Sequence, residues 1–287
     1  MKENITLLDG AVGTSLWAKA EAHGFKKDPV WRYNLEHPEI VAELAAEYAD
    51  AGAEIVLANT FGANGPAVRR ASPYTAPEIV SAGVRIAKDA LRGRGVKVAL
   101  SAGPLSMLME PYGDLTEEEA AAAYAEMLEA GAKEGADLIL LQTFIDLAML
   151  RVATVEAKKF GLPVFCCLTF ERRGKTMMGN SVEDMIEELE PLGIDAIGMN
   201  CSLGPELAVP VIREFVGKTS LPLIFKPNAG KPILASDGTT ATAYSAKDFA
   251  DGIEPALDFV DYIGGCCGSD PSYIREIAAR MGRQSLR

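Results

Sequence analysis

Cys266 and Cys267 are adjacent and sit among glycines, in Ile263-Gly264-Gly265-Cys266-Cys267-Gly268-Ser269-Asp270-Pro271. Neighbouring side chains of an extended strand point to opposite faces. Two adjacent thiols therefore reach one point only where the backbone turns sharply, and glycines at 264, 265 and 268 permit that turn. A helix signal follows, with Asp270 as N-cap, Pro271 at the first position and Gly282 past the end. Its N-terminal partial charge favours thiolate over thiol. A third cysteine, Cys201, has a similar setting in Gly198-Met199-Asn200-Cys201-Ser202-Leu203-Gly204-Pro205-Glu206, an apolar run ending before a Gly-Pro helix start. Thiolates brought together in this way suit a soft divalent metal, zinc first. The bland alternative is a buried vicinal pair with no ligand role.

Other residues narrow the chemistry. The two histidines, His23 and His37, fall in an expected loop and at a helix start. They form no HExxH zinc site, and nothing nearby builds a Ser-His-Asp triad. Neither has the aspartate two before and glycine three after that a cobalamin-ligating histidine needs, so no cobalamin site is expected in this chain. Asp9 ends the first apolar run, in Asp9-Gly10-Ala11-Val12-Gly13-Thr14. A buried carboxylate needs a partner, and a substrate ammonium is one candidate; a plain turn is the other reading.

The elements that must position these groups are legible as a repeat. Apolar runs near Ile5–Asp9, Glu54–Ala58, Val96–Ser101, Asp137–Leu141, Pro163–Leu168, Ile194–Met199, Leu221–Phe225 and Val260–Ile263 alternate with helical stretches. The helices are expected near Pro38–Ala51, Pro77–Arg92, Glu117–Glu134, Asp146–Phe160, Val182–Glu190, Pro205–Val216, Ala246–Ala256 and Pro271–Arg280. Continuous apolar strands alternating with helices imply a parallel sheet. Eight such units predict an α/β fold, a (β/α)8 TIM barrel, as a single domain over residues 1–287. An open doubly wound sheet is the alternative, less suited to eight strands without a phosphate-type glycine loop.

In a barrel the functional side chains lie where strands end. Cys201 then follows the sixth strand and the pair follows the eighth, roughly 10 Å apart at Cα. Sulfurs at ~2.3 Å from one zinc can bridge that spacing. The seventh strand ends between them at Lys226-Pro227-Asn228, so Asn228, or a water, is available for the fourth position. Cys166 and Cys167 lie inside the fifth strand and read as core. Residues 102–116 and 170–181 form longer loops, which cover the barrel mouth or are solvated connections.

Composition sets the bounds. The chain has 287 residues, 48% of them hydrophobic, enough for a sizeable core. Its net charge of −12, with scattered basic residues, speaks against nucleic acid as a partner. No apolar run approaches the ~18–20 residues of a membrane span. The N-terminus has no signal-peptide layout. Five cysteines, four of them in two adjacent pairs, make a poor disulfide framework and predict a cytoplasmic protein with reduced thiols.

Together, Asp9-Gly10-Ala11-Val12-Gly13-Thr14, Asn59-Thr60-Phe61, Gly135-Ala136-Asp137, Asn200-Cys201-Ser202, Pro227-Asn228-Ala229-Gly230 and Gly264-Gly265-Cys266-Cys267-Gly268 resemble the homocysteine S-methyltransferase family. The resemblance runs from about residue 5 to residue 282. The run 200–206, with 227–232, is most similar to the homocysteine-binding domain of cobalamin-dependent methionine synthase. It implies a zinc-bearing barrel with Cys201, Cys266 and Cys267 as ligands, and methylation of a small-molecule thiol, homocysteine or a relative, to a thioether. It also implies substrate contacts at Asp9, Gln142 and Thr143. The family has Glu-Thr-Phe after the fourth strand, its glutamate holding the substrate ammonium; here the sequence is Gln142-Thr143-Phe144. In methionine synthase the methyl comes from a corrinoid on another module. With no such module before Arg287, a separate methyl-corrinoid protein is the expected donor. A free sulfonium or ammonium donor is the enzymatic alternative. A barrel that binds zinc or a thiol without catalysis is the third.

Overall fold

The computed structural model describes residues 2–230, 233–234, 240–241 and 244–283. Its strands are β1 (Thr6–Leu7), β2 (Ile55–Leu57), β3 (Lys97–Ala102), β4 (Leu138–Phe144), β5 (Val164–Leu168), β6 (Ala196–Asn200), β7 (Leu223–Lys226), β8 (Ile233–Leu234), β9 (Thr240–Ala241) and β10 (Tyr262–Ile263). The sheet order is β1-β10-β7-β6-β5-β4-β3-β2, with parallel pairing throughout. A parallel bridge between Leu8 and Ile55 joins the two ends. Glu54 N donates to Leu7 O at 2.7 Å and Asp9 N to Ile55 O at 3.1 Å across that seam. The described residues thus form one (β/α)8 barrel, as the repeat predicts.

Two apolar layers hold it. Leu8, Ile55, Leu57, Leu140, Phe165 and Ile224 fill the barrel interior, while a larger cluster seals strands against helices. Period-two alternation decides which side each residue takes. Cys166 faces the helices and Cys167 the barrel interior, both fully buried. The expected core role of this pair follows from strand geometry.

The helices are α1 (Val12–Ala22), α2 (Tyr33–Glu36), α3 (Pro38–Asp50), α4 (Gly65–Ala71), α5 (Ala76–Ala90), α6 (Glu117–Lys133), α7 (Leu147–Lys158), α8 (Val182–Leu189), α9 (Pro205–Arg213), α10 (Ala246–Ile253) and α11 (Pro271–Arg280). The Thr116–Glu119 capping box starts α6 as expected. Helix α1 was not legible: its N-cap Ala11 makes no side-chain cap bond, and Ser15, Leu16 and Ala20 are its only buried residues. It starts within the segment read as a loop. Strand β4 runs three residues beyond the expected Leu141, through a register shift between Leu141 and Phe144. Gln142 and Thr143 therefore occupy an irregular strand end, not a loop. An antiparallel hairpin, β8–β9, follows β7. Lys231 and Pro232, the end of the 227–232 run, lie outside the described residues, as do Met1 and 284–287 of the predicted domain.

Candidate metal and thiol site

Cys201 leaves β6 and Cys266-Cys267 leave β10, with β7 paired to both. Backbone hydrogen bonds lace the three strand ends together. Cys201 N donates to Lys226 O at 3.0 Å, Cys266 N to Pro227 O at 2.8 Å, and Ala229 N to Cys267 O at 3.0 Å. The turn at the pair has two glycine requirements. Gly268 adopts φ +83°, open to glycine at little cost. Gly265 serves close approach instead: a Cβ there would lie 2.1 Å from Ser269 Oγ. Ser269 Oγ donates to Cys266 O at 2.6 Å, so the hydroxyl that forbids a side chain at 265 also fixes the turn.

The result is a cluster in which the sulfurs of Cys201, Cys266 and Cys267 all lie within 4.8 Å of one another. Cys201 Sγ and Cys267 Sγ are 3.8 Å apart. A tetrahedral zinc with bonds of ~2.3 Å has sulfur–sulfur edges of about 3.8 Å, so the spacing fits that ion. Hydrogen bonds from Cys266 and Cys267 pull the Cys201 thiol well below its ordinary range. The same bonds, with burial, push Cys266 and Cys267 up. Beside it, the Asn228 side chain also bonds to Cys201. Its Oδ1 is buried with no hydrogen-bond partner among the described residues. An orphaned buried acceptor beside three thiols is a group awaiting a donor or a cation. Burial pushes Cys166 up to about 12, in the apolar layer between strands and helices.

Backbone strain is concentrated here. Thr143, Cys201 and Ser202 are the non-glycine residues with positive φ among those described, at 65°, 64° and 59°. Such conformations cost of order 1–3 kcal/mol each and persist where surroundings impose them. Asn200 is the imposing neighbour. Its Oδ1 accepts from Thr143 N at 2.7 Å, and its Nδ2 donates to Thr143 Oγ1 at 2.7 Å and approaches Cys266 Sγ at 3.6 Å. One fully buried amide thereby ties the end of β4 to the cysteine cluster.

The cluster opens into a cavity of about 280 Å³ at the C-terminal end of the barrel, also lined by residues 10–14, Trp17, Phe61, Gln142, Thr143 and Lys226. Gln142 Nε2 donates to Ser101 Oγ at 2.9 Å. Asp9, expected as a substrate contact, lies next to the cavity-lining Gly10. Its partner is Lys226, whose Nζ donates to Oδ1 at 2.7 Å, and its Oδ2 accepts from Leu57 N at 2.7 Å. Both side chains of the pair are essentially inaccessible, and Asp9 does not line the cavity. Burial raises the Asp9 carboxyl above its usual range, with Lys226 opposing. The sequence reading named Lys226 only as a strand end. A lysine closing the apolar run Leu223-Ile224-Phe225 was the available signal, since a buried ammonium demands a carboxylate. Ser101 was missed as a neutral residue with no diagnostic spacing, and Asn200 was named only as the neighbour of Cys201, without its bonds to Thr143.

Comparison with known proteins agrees with this geometry. A sequence model described as Homocysteine S-methyltransferase matches residues 6–281. Methionine synthase of Mycobacterium tuberculosis is 29% identical over 98% of this chain, and that of Mycobacterium leprae 28% over 99%. The chain spans 25% of the length of either. The metallated form of the homocysteine methyltransferase MmuM from Escherichia coli superposes with a TM-score of 0.79 at 25% identity, over 97% of both chains. With the family match covering the whole barrel, both cysteine-bearing strand ends included, the chain belongs to the homocysteine S-methyltransferase family.

Proposed function

We propose that this chain is a zinc-dependent S-methyltransferase for a small thiol, homocysteine or a relative of it, with the methyl supplied by a separate methyl-corrinoid protein. The observation that carries the reading is the cluster of Cys201, Cys266 and Cys267, with the Cys201 and Cys267 sulfurs 3.8 Å apart, on the wall of the cavity. These three residues are the proposed ligands, with Asn228 Oδ1 available for the fourth position until substrate replaces it. Zinc in such a site supplies Lewis acidity that lets a bound thiol react as thiolate near neutral pH.

The chain's own residues supply position and apolar surface. Asn200 and the strained Thr143 hold the end of β4 against Cys266. Trp17, Phe61 and Leu57 give the cavity apolar walls. Gln142, fixed by Ser101, offers its amide to the substrate chain. The acceptor S–H gives its proton to solvent, a sulfur lone pair forms the S–CH3 bond, and the bond from methyl to donor breaks with its electron pair leaving on the donor. No side-chain base is required. Likeness to methionine synthases favours the corrinoid donor; the end-to-end match to MmuM keeps a free small-molecule donor as the second reading. No helix among the described residues is long and apolar enough to cross a membrane. Unpaired cysteines suit the reducing cytoplasm.

The test is to incubate zinc-loaded protein and homocysteine with S-methylmethionine, betaine or a methylated corrinoid protein, and quantify methionine. Methionine with the corrinoid protein alone is expected. Product from a small donor overturns the partner, and no product with any donor overturns the activity.

A further inference from the structure

One side chain touches both the cysteine cluster and the strand end that lines the cavity. Asn200 ends β6 and is fully buried. Its backbone is held from both sides: its O accepts from Thr169 Oγ1 at 3.1 Å, just past β5, and it pairs with Lys226 on β7. The orientation of its amide is fixed too. Thr143 N can only donate, so Oδ1 faces it, at 2.7 Å. Nδ2 is left for two acceptors, Thr143 Oγ1 at 2.7 Å and Cys266 Sγ at 3.6 Å. A flipped amide would set Nδ2 against the Thr143 N–H. Thr143 is β-branched and sits at φ 65°, where such residues are outliers. Two bonds to Asn200 hold it there, and it lines the cavity together with Gln142. A strained residue on β4 and a cysteine after β10 thus share one rigid amide.

We propose that Asn200 is a positioning residue that couples the metal centre to the end of β4. Thr143 offers no ligand atom to the cluster. By fixing Asn200 Nδ2 against Cys266 Sγ, it nevertheless sets how firmly a metal is held. Coupling between two sites is reciprocal. A metal that draws Cys266 in as thiolate strengthens the N–H···S contact, because hydrogen bonds to ionised acceptors are the stronger ones. That locks Asn200, and with it the Gln142–Thr143 end that faces the substrate cavity. This rests on the reading of the three cysteines as metal ligands. Outer partners that orient a ligand change metal affinity by about 10–100-fold when removed.

The experiment is competition for zinc against a chromogenic chelator. Asn200→Ala is expected to weaken zinc binding by about 10–100-fold. Thr143→Val keeps the β-branched shape and loses only the hydroxyl that Nδ2 reaches, and should weaken it by about 3–10-fold. Thr143→Ser keeps the hydroxyl and should bind zinc as the native protein does, a rescue that general loss of packing does not give. In an Asn200→Ala background, Thr143→Val should cost nothing further, because the amide through which it acts is gone. If Asn200→Ala fails to fold, the two Thr143 variants carry the test. Native affinity in Thr143→Val, equal loss in Thr143→Val and Thr143→Ser, or an equal cost of Thr143→Val in both backgrounds overturns the coupling while leaving the metal site standing. A native protein that takes up no zinc overturns the metal reading, and the coupling with it.

Discussion

Each thiol in this chain has a different fate, set by where its backbone aims it. Cys166 and Cys167 lie in a regular strand, so they point apart into two apolar layers, and burial pushes both thiols up. Cys266 and Cys267 follow a strand and turn, so they meet, with Cys201 completing the cluster. Replacing any one of the three leaves two sulfurs, too few for a closed structural or catalytic zinc set. Cys201→Ala, Cys266→Ala and Cys267→Ala are each expected to drop zinc content from about one per chain to below about a tenth under competing chelator. Cys166→Ala should keep full metal. Plasma emission analysis of the four purified variants reads this directly, and full zinc in Cys201→Ala sinks the three-thiolate set. Asn228 is separable by the same measurement: Asn228→Ala should retain the three-sulfur site and lose only a replaceable fourth contact.

At the scale of elements, the site depends on how closely neighbouring strand ends approach. The 264–268 turn runs beside Asp9-Gly10 and Ser269, where Gly265 N donates to Asp9 O at 3.0 Å and Ala11 N to Ser269 O at 2.8 Å. A methyl at 265 would sit inside the Ser269 hydroxyl. Gly265→Ala is therefore expected to cost about 1–3 kcal/mol, by overpacking, and to weaken metal binding by displacing Cys266. Urea unfolding with zinc titration measures both. Unchanged stability and affinity would mean the turn relaxes freely. Strand β4 adds a second element-scale lesson. Its irregular end places Gln142 at the cavity and Thr143 at positive φ, and Asn200 on β6 holds that arrangement. Strain at the site is thus borne by a cross-strand amide.

At the scale of the whole barrel, the proposed cysteine ligands lie at the ends of β6 and β10, on either side of β7, and so belong to distant parts of the chain. A ligand that binds only the folded arrangement stabilises it by mass action, by ~4 kcal/mol when present at a thousand times its Kd. For a domain of this size that corresponds to a rise in Tm on the order of 10 °C. Scanning calorimetry before and after chelation, and again after adding zinc, should show this fall and recovery. A Tm indifferent to zinc would place the cluster outside the folding equilibrium and argue against a bound ion. The shift should vanish in Cys201→Ala.

The sequence by itself determined the barrel and its metal candidates. Apolar runs of strand length recur between helical stretches, and that period admits few folds; cysteines at two run ends, beside glycines, then have one place to meet. Helix boundaries were also legible where capping chemistry is local, as at Thr116–Glu119 and at Asp270 before α11. Helix α1 escaped because it has no cap and few buried residues to give a period. Only tertiary structure decided the electrostatics of the cavity. Asp9 and Lys226 are 217 positions apart, and either alone reads as a residue available to substrate. Barrel closure brings the first strand beside the last and β7 one place further, so the two charges find each other in a region closed to water. There a buried carboxylate and a buried ammonium must pair; the sequence marks each as the end of an apolar run but not that they are partners.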